Sequence, residues 1–112
     1  MLPHNVTAII ARNEDWRGAA ATEPYECGWA REAVIFVRAL KADGIPAGVP
    51  ARVQVSPDGM RWLDEGTTLT LPTTVDQQSW ARVEKFGSWL RLAADLPPGA
   101  ALSILVTLHL KA

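Results

Sequence analysis

The sequence predicts an all-β fold: a single antiparallel β-sandwich, jelly-roll-like, of about seven or eight strands with an N-terminal arm. First, apolar and polar residues alternate in several short runs, and this period of two is typical of half-buried strands. Second, turns rich in Gly and Pro separate the runs, and the chain contains 8 glycines and 8 prolines. Third, 112 residues with 48% hydrophobic content suit one domain that buries a core of its own.

The beginning of the chain is less regular than the rest. Residues 1–30 are predicted to form the N-terminal arm, and residues 31–112 to form the body of the sandwich. The arm contains a first strand at residues 6–12, "VTAIIAR". The alanine-rich residues 17–24 that follow predict an exposed loop.

The body opens with the most apolar run of the sequence, "EAVIFVRALKAD". Its β-branched and aromatic residues favour a strand. A helix over "EPYECGWAREAVIFVRALKA" is the alternative. We favour the strand because Ile35, Phe36 and Val37, which are adjacent, cannot all lie on one helix face.

Later segments repeat the alternating pattern and predict the other strands of the body. The last of them is the most regular, with Ser103, Thr107 and His109 on its polar face. Its opposite face carries Leu102, Ile104, Val106, Leu108 and Leu110. The segments are, in order, "ARVQVS", "MRWLDE", "TTLTLP", "SWARVEKF", "SWLRLAADL" and "ALSILVTLHLKA".

The stretch "VQVSPDGMRWL" predicts a β-hairpin with a structural turn. Pro57 has the fixed φ that suits the first central position of a turn, and Asp58 suits the second. Gly59 can then adopt a positive φ, as in a type I turn followed by a glycine bulge. The returning strand is predicted to place Met60 and Trp62 on one face.

The sequence predicts no enzyme. None of the serines lies in the Gly-x-Ser-x-Gly motif of a nucleophile elbow. The single cysteine, Cys27, is interpreted as a buried or half-buried structural thiol. The adjacent carboxylates Glu14 and Asp15 point to different sides of a strand or loop, so they do not form an acid–base pair.

No cofactor and no metal ion is expected either. The candidate zinc ligands are His4, His109 and Cys27, too few for a site. Calcium remains an alternative, because Asp58, Asp64 and Glu65 carry carboxylate oxygens, although they do not follow an EF-hand pattern.

Five tryptophans are the unusual feature of the composition. Tryptophan and arginine are enriched at protein interfaces, so part of this set is expected at the surface and two or three rings in the core. Trp80 and Trp89 are favoured for a surface contact because each shares a strand face with an arginine, and burial of Trp16 is expected to involve a neighbouring chain. The interface candidates are Trp16, Tyr25, Trp29, Trp80, Arg82, Trp89 and Arg91.

The charge distribution argues against nucleic acid and membranes as partners. The 11 basic and 12 acidic residues are interspersed and give a net charge of −1. There is no basic stripe for a phosphate backbone and no polybasic patch for a membrane surface. The first residues lack the charged and apolar regions of a signal peptide, so none is predicted.

From about Ala33 onwards, the pattern resembles the small all-β virion structural proteins of tailed bacteriophages, of the decoration or head–tail/fibre-associated type. The matching pieces are "AVIFVRALKADGIPAG", "VQVSPDGMRWLDEG", "FGSWLRLAADLPPG" and "ALSILVTLHLKA". The resemblance covers roughly two-thirds of the chain. It implies a jelly-roll or β-sandwich fold and a structural role without chemistry.

The same resemblance implies particular partners and a location. A homo-oligomer is expected, because virion proteins work in symmetric assemblies. A capsid or other virion protein would be the second partner, contacted by the arm at residues 1–30. The protein would then be found in the virion, after assembly in a bacterial cytoplasm. The alternative is a carbohydrate-binding β-sandwich, since discoidin-like modules also use an "S.DG..W" hairpin and exposed tryptophans bind glycans.

Overall fold

The computed structural model describes residues 5–112, which form nine β-strands and no helix. The predicted all-β class is therefore confirmed, and the described residues contain no helix that is long and apolar enough to cross a membrane. The strands are β1 (Asn5–Trp16), β2 (Ala19–Ala21), β3 (Tyr25–Glu26), β4 (Glu32–Asp43), β5 (Pro50–Ser56), β6 (Leu63–Thr70), β7 (Gln78–Glu84), β8 (Trp89–Asp95) and β9 (Ala101–Lys111).

The strands form two antiparallel sheets packed face to face. The four-stranded sheet has the order β1-β9-β4-β7. The five-stranded sheet has the order β2-β8-β5-β6, and β3 also pairs with β8. Since β2 and β3 follow one another along β8, they act as two pieces of one edge strand. Counted in this way, the sandwich has four strands in each sheet, in the order of a jelly roll.

The core lies between the two sheets and is centred on β9. Strand β9 is paired on both sides, with β1 and with β4. Its side chains alternate as the sequence predicts, and the inward residues Leu102, Ile104, Val106, Leu108 and Leu110 are all fully buried. The polar residues of β9 point to the outer face of the four-stranded sheet, where they are half-buried.

The apolar run in β4 is a strand, and the helical alternative is excluded. Ile35 and Val37 point into the core and are fully buried. Val34 and Phe36 point to the outer face, where they are half-buried. This part of β4 is thus apolar on both faces, and the strand lies inside its sheet, between β9 and β7.

Residues 17–24 are not the exposed loop that the sequence predicts. Strand β2 lies inside this range and pairs with β8, with Ala21 opposite Ala93. Thr22 is buried and binds Leu92 twice. Its N–H donates to the Leu92 carbonyl oxygen at 2.9 Å, and its Oγ1 accepts from the Leu92 N–H at 3.0 Å. The loop prediction failed because the alanine-rich composition does not show this pairing with a distant strand.

The described part of the predicted arm, residues 5–30, contributes β1, β2 and β3 to the two sheets. Strand β1 pairs with β9 from Asn5, opposite Lys111, to Trp16, opposite Leu102. Two register irregularities interrupt this ladder. Docking of the arm on a neighbour stays a prediction, and His4 lies outside the described residues.

The returning strand of the predicted hairpin begins later than expected. Strand β6 starts at Leu63 and continues through Gly66 to Thr70, so the two predicted strands "MRWLDE" and "TTLTLP" are one strand. Met60 lies in the loop before it. The reason is that Asp58 Oδ1 accepts the N–H groups of Met60 and Arg61, which are then not available to β5.

Candidate functional site

The outer face of the four-stranded sheet carries an exposed apolar row. The antiparallel register places Thr107 beside Ile9 on one side and Phe36 on the other, and Phe36 beside Trp80. Trp80 is 55% exposed and Ile9 is 44% exposed. We call this surface the tryptophan face and define it by Ile9, Val34, Phe36, Trp80, Arg82 and His109.

Two ring contacts organise the tryptophan face. The guanidinium carbon of Arg82 lies 5.1 Å from the centroid of the Trp80 ring, within the range of a cation–π interaction. The rings of Phe36 and His109 meet edge to face, with centroids 5.1 Å apart. These contacts join four of the six side chains that define the tryptophan face.

A polar cleft lies at one end of the tryptophan face. Its volume is about 480 Å³, and Val34 and His109 form part of it. Charged side chains of both signs line the rest: Glu32, Arg82, Glu84 and Lys111. The cleft thus combines apolar surface with hydrogen-bond donors and acceptors.

The hairpin loop of Pro57, Asp58 and Gly59 is held by its own side chains. Ser56 is buried, and its Oγ accepts from the N–H of Asp58 at 3.2 Å and of Gly59 at 2.8 Å. The same hydroxyl donates to Asp58 Oδ1 at 2.9 Å. Hydrogen bonds from the backbone N–H groups of Arg61 and Met60, and then from Ser56, hold the pKa of Asp58 well below its usual range.

Gly59 packs directly on a tryptophan. Its φ is 78°, in the left-handed region that favours glycine. A Cβ at this position would lie 3.2 Å from Cε2 of the Trp89 ring. The ring of Trp89 therefore supports the hairpin loop, and Asp58 and Gly59 serve the structure of that loop.

A second arginine–tryptophan pair lies on the outer face of the five-stranded sheet. The guanidinium carbon of Arg91 is 4.3 Å from the centroid of the Trp62 ring. Arg91 Nε donates to Gln54 Oε1 at 2.7 Å, across the β5–β8 ladder. Burial, and then the nearby charge of Arg52, lower the pKa of Arg91 from its ordinary value.

The other interface candidates lie apart from one another. The chain itself buries Trp16, which is 2% exposed and donates from Nε1 to Glu14 Oε1 at 3.2 Å, so no neighbouring chain is needed for its burial. Tyr25 is half-buried against the core, and Trp29 is 41% exposed. The structure brings Trp80 and Arg82 together, whereas Arg91 contacts Trp62 rather than Trp89.

Sequence reasoning missed Ile9, Phe36, Gln54 and Trp62 as members of these surfaces. The alternation shows which face of its own strand each residue occupies. It does not show the register between strands that are distant in sequence. This register creates the tryptophan face and also brings Gln54 beside Arg91. The nearest signal was the shared face of Trp80 and Arg82, which the strand pattern did predict.

The candidate metal and thiol groups do not form a shared site. Asp64 contacts Arg52 and Gln54, and Glu65 accepts from the Thr67 N–H, so the calcium candidates have separate local partners. Residues 5–112 contain no group of three or more His, Cys, Asp or Glu side chains that could hold a metal. Cys27 is fully buried, and burial, followed by the charge of Glu26, raises the pKa of its thiol to about 11.

The chain is an antiparallel β-sandwich with jelly-roll strand order, and a solved structure shares this fold. It is the crystal structure of the SPBc2 prophage-derived protein YomS, which aligns with a TM-score of 0.61 at 6% sequence identity. The alignment covers 100% of this chain and 96% of that chain. No protein-family model matches the sequence, and no curated protein matches it. At this identity, the likeness shows a common fold.

Proposed function

We propose that this chain is a non-enzymatic structural protein of a bacteriophage particle, a capsid decoration or virion accessory protein. It acts through contacts with copies of itself and with a capsid or other virion protein. Three findings support the proposal: the exposed tryptophan face, the resemblance of the strand and turn pattern, and the fold shared with a prophage-derived protein. Jelly rolls are also a common architecture of viral capsid proteins.

The observation that carries the proposal is the exposure of Trp80 at the β7 end of the apolar row. Contiguous apolar patches at a protein surface often mark interaction sites, and Trp and Arg are enriched among the residues that dominate interface energetics. Trp80 and Arg82 supply both residue types on β7, an edge strand. Copies of the chain could thus bury the row against each other, with Arg82 and Glu84 available for paired charges at its rim.

Light scattering on the purified chain over a concentration series tests this proposal. We expect the mass to rise to a defined oligomer, and Trp80→Glu to shift the population to monomer because a carboxylate would be buried in the contact. Val75→Glu is the matched control, since Val75 is 57% exposed in the turn before β7. A strict monomer at every concentration would contradict self-association and favour the second candidate.

The second candidate is a carbohydrate-binding module. The specific observation in its favour is the position of Trp80, an exposed ring on the same sheet face as a cleft of about 480 Å³ with polar walls. Sugars stack on such rings and bond to neighbouring charged groups. Binding on a glycan array, with a change in tryptophan fluorescence that Trp80→Ala abolishes, would support it. Silence in both assays would exclude it.

A further inference from the structure

The outer face of the five-stranded sheet contains a shallow depression with a floor of alanines. The register places Ala21 beside Ala93, and Ala19 beside Asp95. The depression has a volume of about 240 Å³, and Gln54 and Arg91 lie along its wall. It is on the opposite sheet from the tryptophan face.

Arg91 differs from Arg52, the other arginine of the depression, because it has no carboxylate partner among the described residues. Arg52 lies 3.0 Å from Asp95 and 3.4 Å from Asp64. Within residues 5–112, Arg91 has a single hydrogen bond, from Nε to Gln54, and its terminal nitrogens Nη1 and Nη2 have no acceptor.

The guanidinium of Arg91 is nevertheless fixed in place. Gln54 holds Nε, and the Trp62 ring covers the guanidinium at 4.3 Å. Gln54 is itself oriented, because its Nε2 donates to Asp64 Oδ1 at 2.9 Å. Partial burial raises the cost of the uncompensated charge, as the lowered pKa of Arg91 indicates. A positioned guanidinium with two unused nitrogens is suited to bind a carboxylate through both of them.

We propose that Arg91 and the alanine depression bind one glutamate or aspartate side chain of a neighbouring protein. The carboxylate pairs with Nη1 and Nη2 of Arg91, and the methylene groups of the side chain rest on the methyl groups of Ala21 and Ala93. Asp95, at the far side of the depression, is already paired with Arg52. Arg91 is therefore the charge of the depression that is left for a carboxylate from outside.

The floor of the depression favours an amino-acid side chain over an acidic sugar. Sugars in protein sites usually stack on an aromatic ring, whereas the described residues that line this depression include no aromatic ring. The Trp62 ring, which packs on Arg91, is covered by the guanidinium. Alanine methyl groups offer a small apolar surface that matches one or two methylene groups.

The inference rests on the proposed function, because the neighbouring protein supplies the side chain. Its experiment uses small molecules and the purified chain, so its result does not depend on self-association. The probes are N-acetyl-glutamate N-methylamide and its neutral isostere, N-acetyl-glutamine N-methylamide, at matched ionic strength. NMR follows the Arg91 Nε–H and Trp62 indole N–H signals during titration.

We expect saturable shifts with the glutamate probe, with a dissociation constant on the order of 10 mM. The glutamine isostere should bind at least about tenfold more weakly, because a tenfold loss of affinity corresponds to about one charge-assisted hydrogen bond. Equal responses to both probes, or no response to either, would overturn the proposal. Glucuronate and glucose form a second pair of probes. Binding of glucuronate without binding of the glutamate probe would also overturn it, in favour of an acidic sugar.

Two variants test the assignment of the site. Arg91→Gln should abolish the shift of the Trp62 signal, while Arg82→Gln should leave it unchanged, because Arg82 forms the comparable pair with Trp80 on the other sheet. Ala21→Leu fills the floor while keeping the Arg91 side chain and should weaken binding about tenfold or more. It also provides an answer if Arg91→Gln does not fold. Wild-type affinity in Arg91→Gln or in Ala21→Leu would contradict the site.

Discussion

Asp58 shows how one side chain can set the geometry of a hairpin. Its Oδ1 accepts the N–H groups of Met60 and Arg61, and its Oδ2 accepts from Arg61 Nη1 at 2.8 Å. The carboxylate thus accepts hydrogen bonds from N–H groups that would otherwise pair with a neighbouring strand. Strand β6 therefore begins only at Leu63. Because the bonds favour the charged form, the pKa of Asp58 is lowered and the loop is coupled to pH.

We expect Asp58→Asn to flatten the acid dependence of stability. A carboxyl group whose pKa is lowered by folding stabilises the folded state fully above its unfolded pKa of about 3.9. This stabilisation is lost as the pH falls from there towards the folded pKa. Urea unfolding of wild type and variant between about pH 5 and pH 2 measures the difference. The variant should have a lower free energy of unfolding than wild type at pH 5. This difference in free energy should become smaller as the pH falls towards 2.

The control for this measurement is Asp43→Asn, which removes an exposed carboxylate at the end of β4. This variant should retain the wild-type pH dependence because the Asp58 network is intact. If the difference in free energy of unfolding between wild type and Asp58→Asn were the same at every pH, the role of the Asp58 charge would be contradicted.

Gly59→Ala should destabilise the protein more than Gly99→Ala. Both glycines have positive φ, 78° and 85°, so each substitution carries a backbone penalty of about 1–2 kcal/mol. The new Cβ at position 59 would also press on the Trp89 ring, whereas nothing lies within 4 Å of the one at position 99. Free energies of unfolding from urea titration test the order. Equal losses would show that Trp89 moves aside without cost.

At the scale of elements, β9 is the strand that joins the edge strand β1 to the rest of its sheet. It is hydrogen-bonded to β1 and β4, and its inward side chains are fully buried. A truncation there leaves a cavity between the sheets, because the neighbouring strands cannot close it. The outer side of the same strand is half-buried, and no strand of residues 5–112 packs over it.

We therefore expect Leu108→Ala to reduce the free energy of unfolding by about 2–5 kcal/mol. Leu105→Ala, on the outer face of the same strand, is the matched control and should cost much less. Thermal or urea unfolding monitored by tryptophan fluorescence provides the values. Similar losses in both variants would indicate that the outer face of β9 is also covered, as in an oligomer.

The elements differ in how far the sequence predicts them. Regularly alternating strands such as β8 and β9 follow from pattern alone, because large apolar side chains recur at every second position and form one fully buried face. Strand β2 does not, since three alanines carry no alternation and are held by pairing with β8. The start of β6 was also missed, because the capture of backbone N–H groups by Asp58 is a side-chain effect that periodicity does not detect.

The residues of the candidate surfaces were also only partly predictable from the sequence. The shared face of Trp80 and Arg82 was predictable because two residues of separation on one strand place side chains on the same side. The contact of Arg91 with Gln54 depends on the pairing of β8 with β5, strands that are 37 positions apart at this pair. A single sequence contains no local signal for that register.

At the scale of the whole molecule, Cys27 reports on the integrity of the sandwich. The side chain is fully buried, and its backbone N–H donates to the Ser88 carbonyl oxygen at 2.6 Å. Since the thiol has a pKa raised to about 11, little of it is thiolate at neutral pH, and reagents reach it only after opening.

We expect a thiol reagent such as Ellman's reagent to label Cys27 very slowly in native buffer at pH 7.5, and completely in denaturant. Across a urea series, the labelled fraction should follow the global unfolding transition seen by tryptophan fluorescence. Destabilised Leu108→Ala should label faster than wild type at the same urea concentration. Rapid labelling of the native protein would contradict the burial of the thiol.

The pairing of Asn5 with Lys111 has a consequence for how the chain can be rewired. Residues paired in an antiparallel ladder lie only about 5 Å apart, so a short peptide linker from Lys111 to Asn5 would leave the pairing of β1 with β9 intact. New termini could then be opened at the turn around Gly99, between β8 and β9. Such a circular permutant would keep the sheet order and convert the pairing of β1 with β9 from the most distant contact in the sequence into a local hairpin.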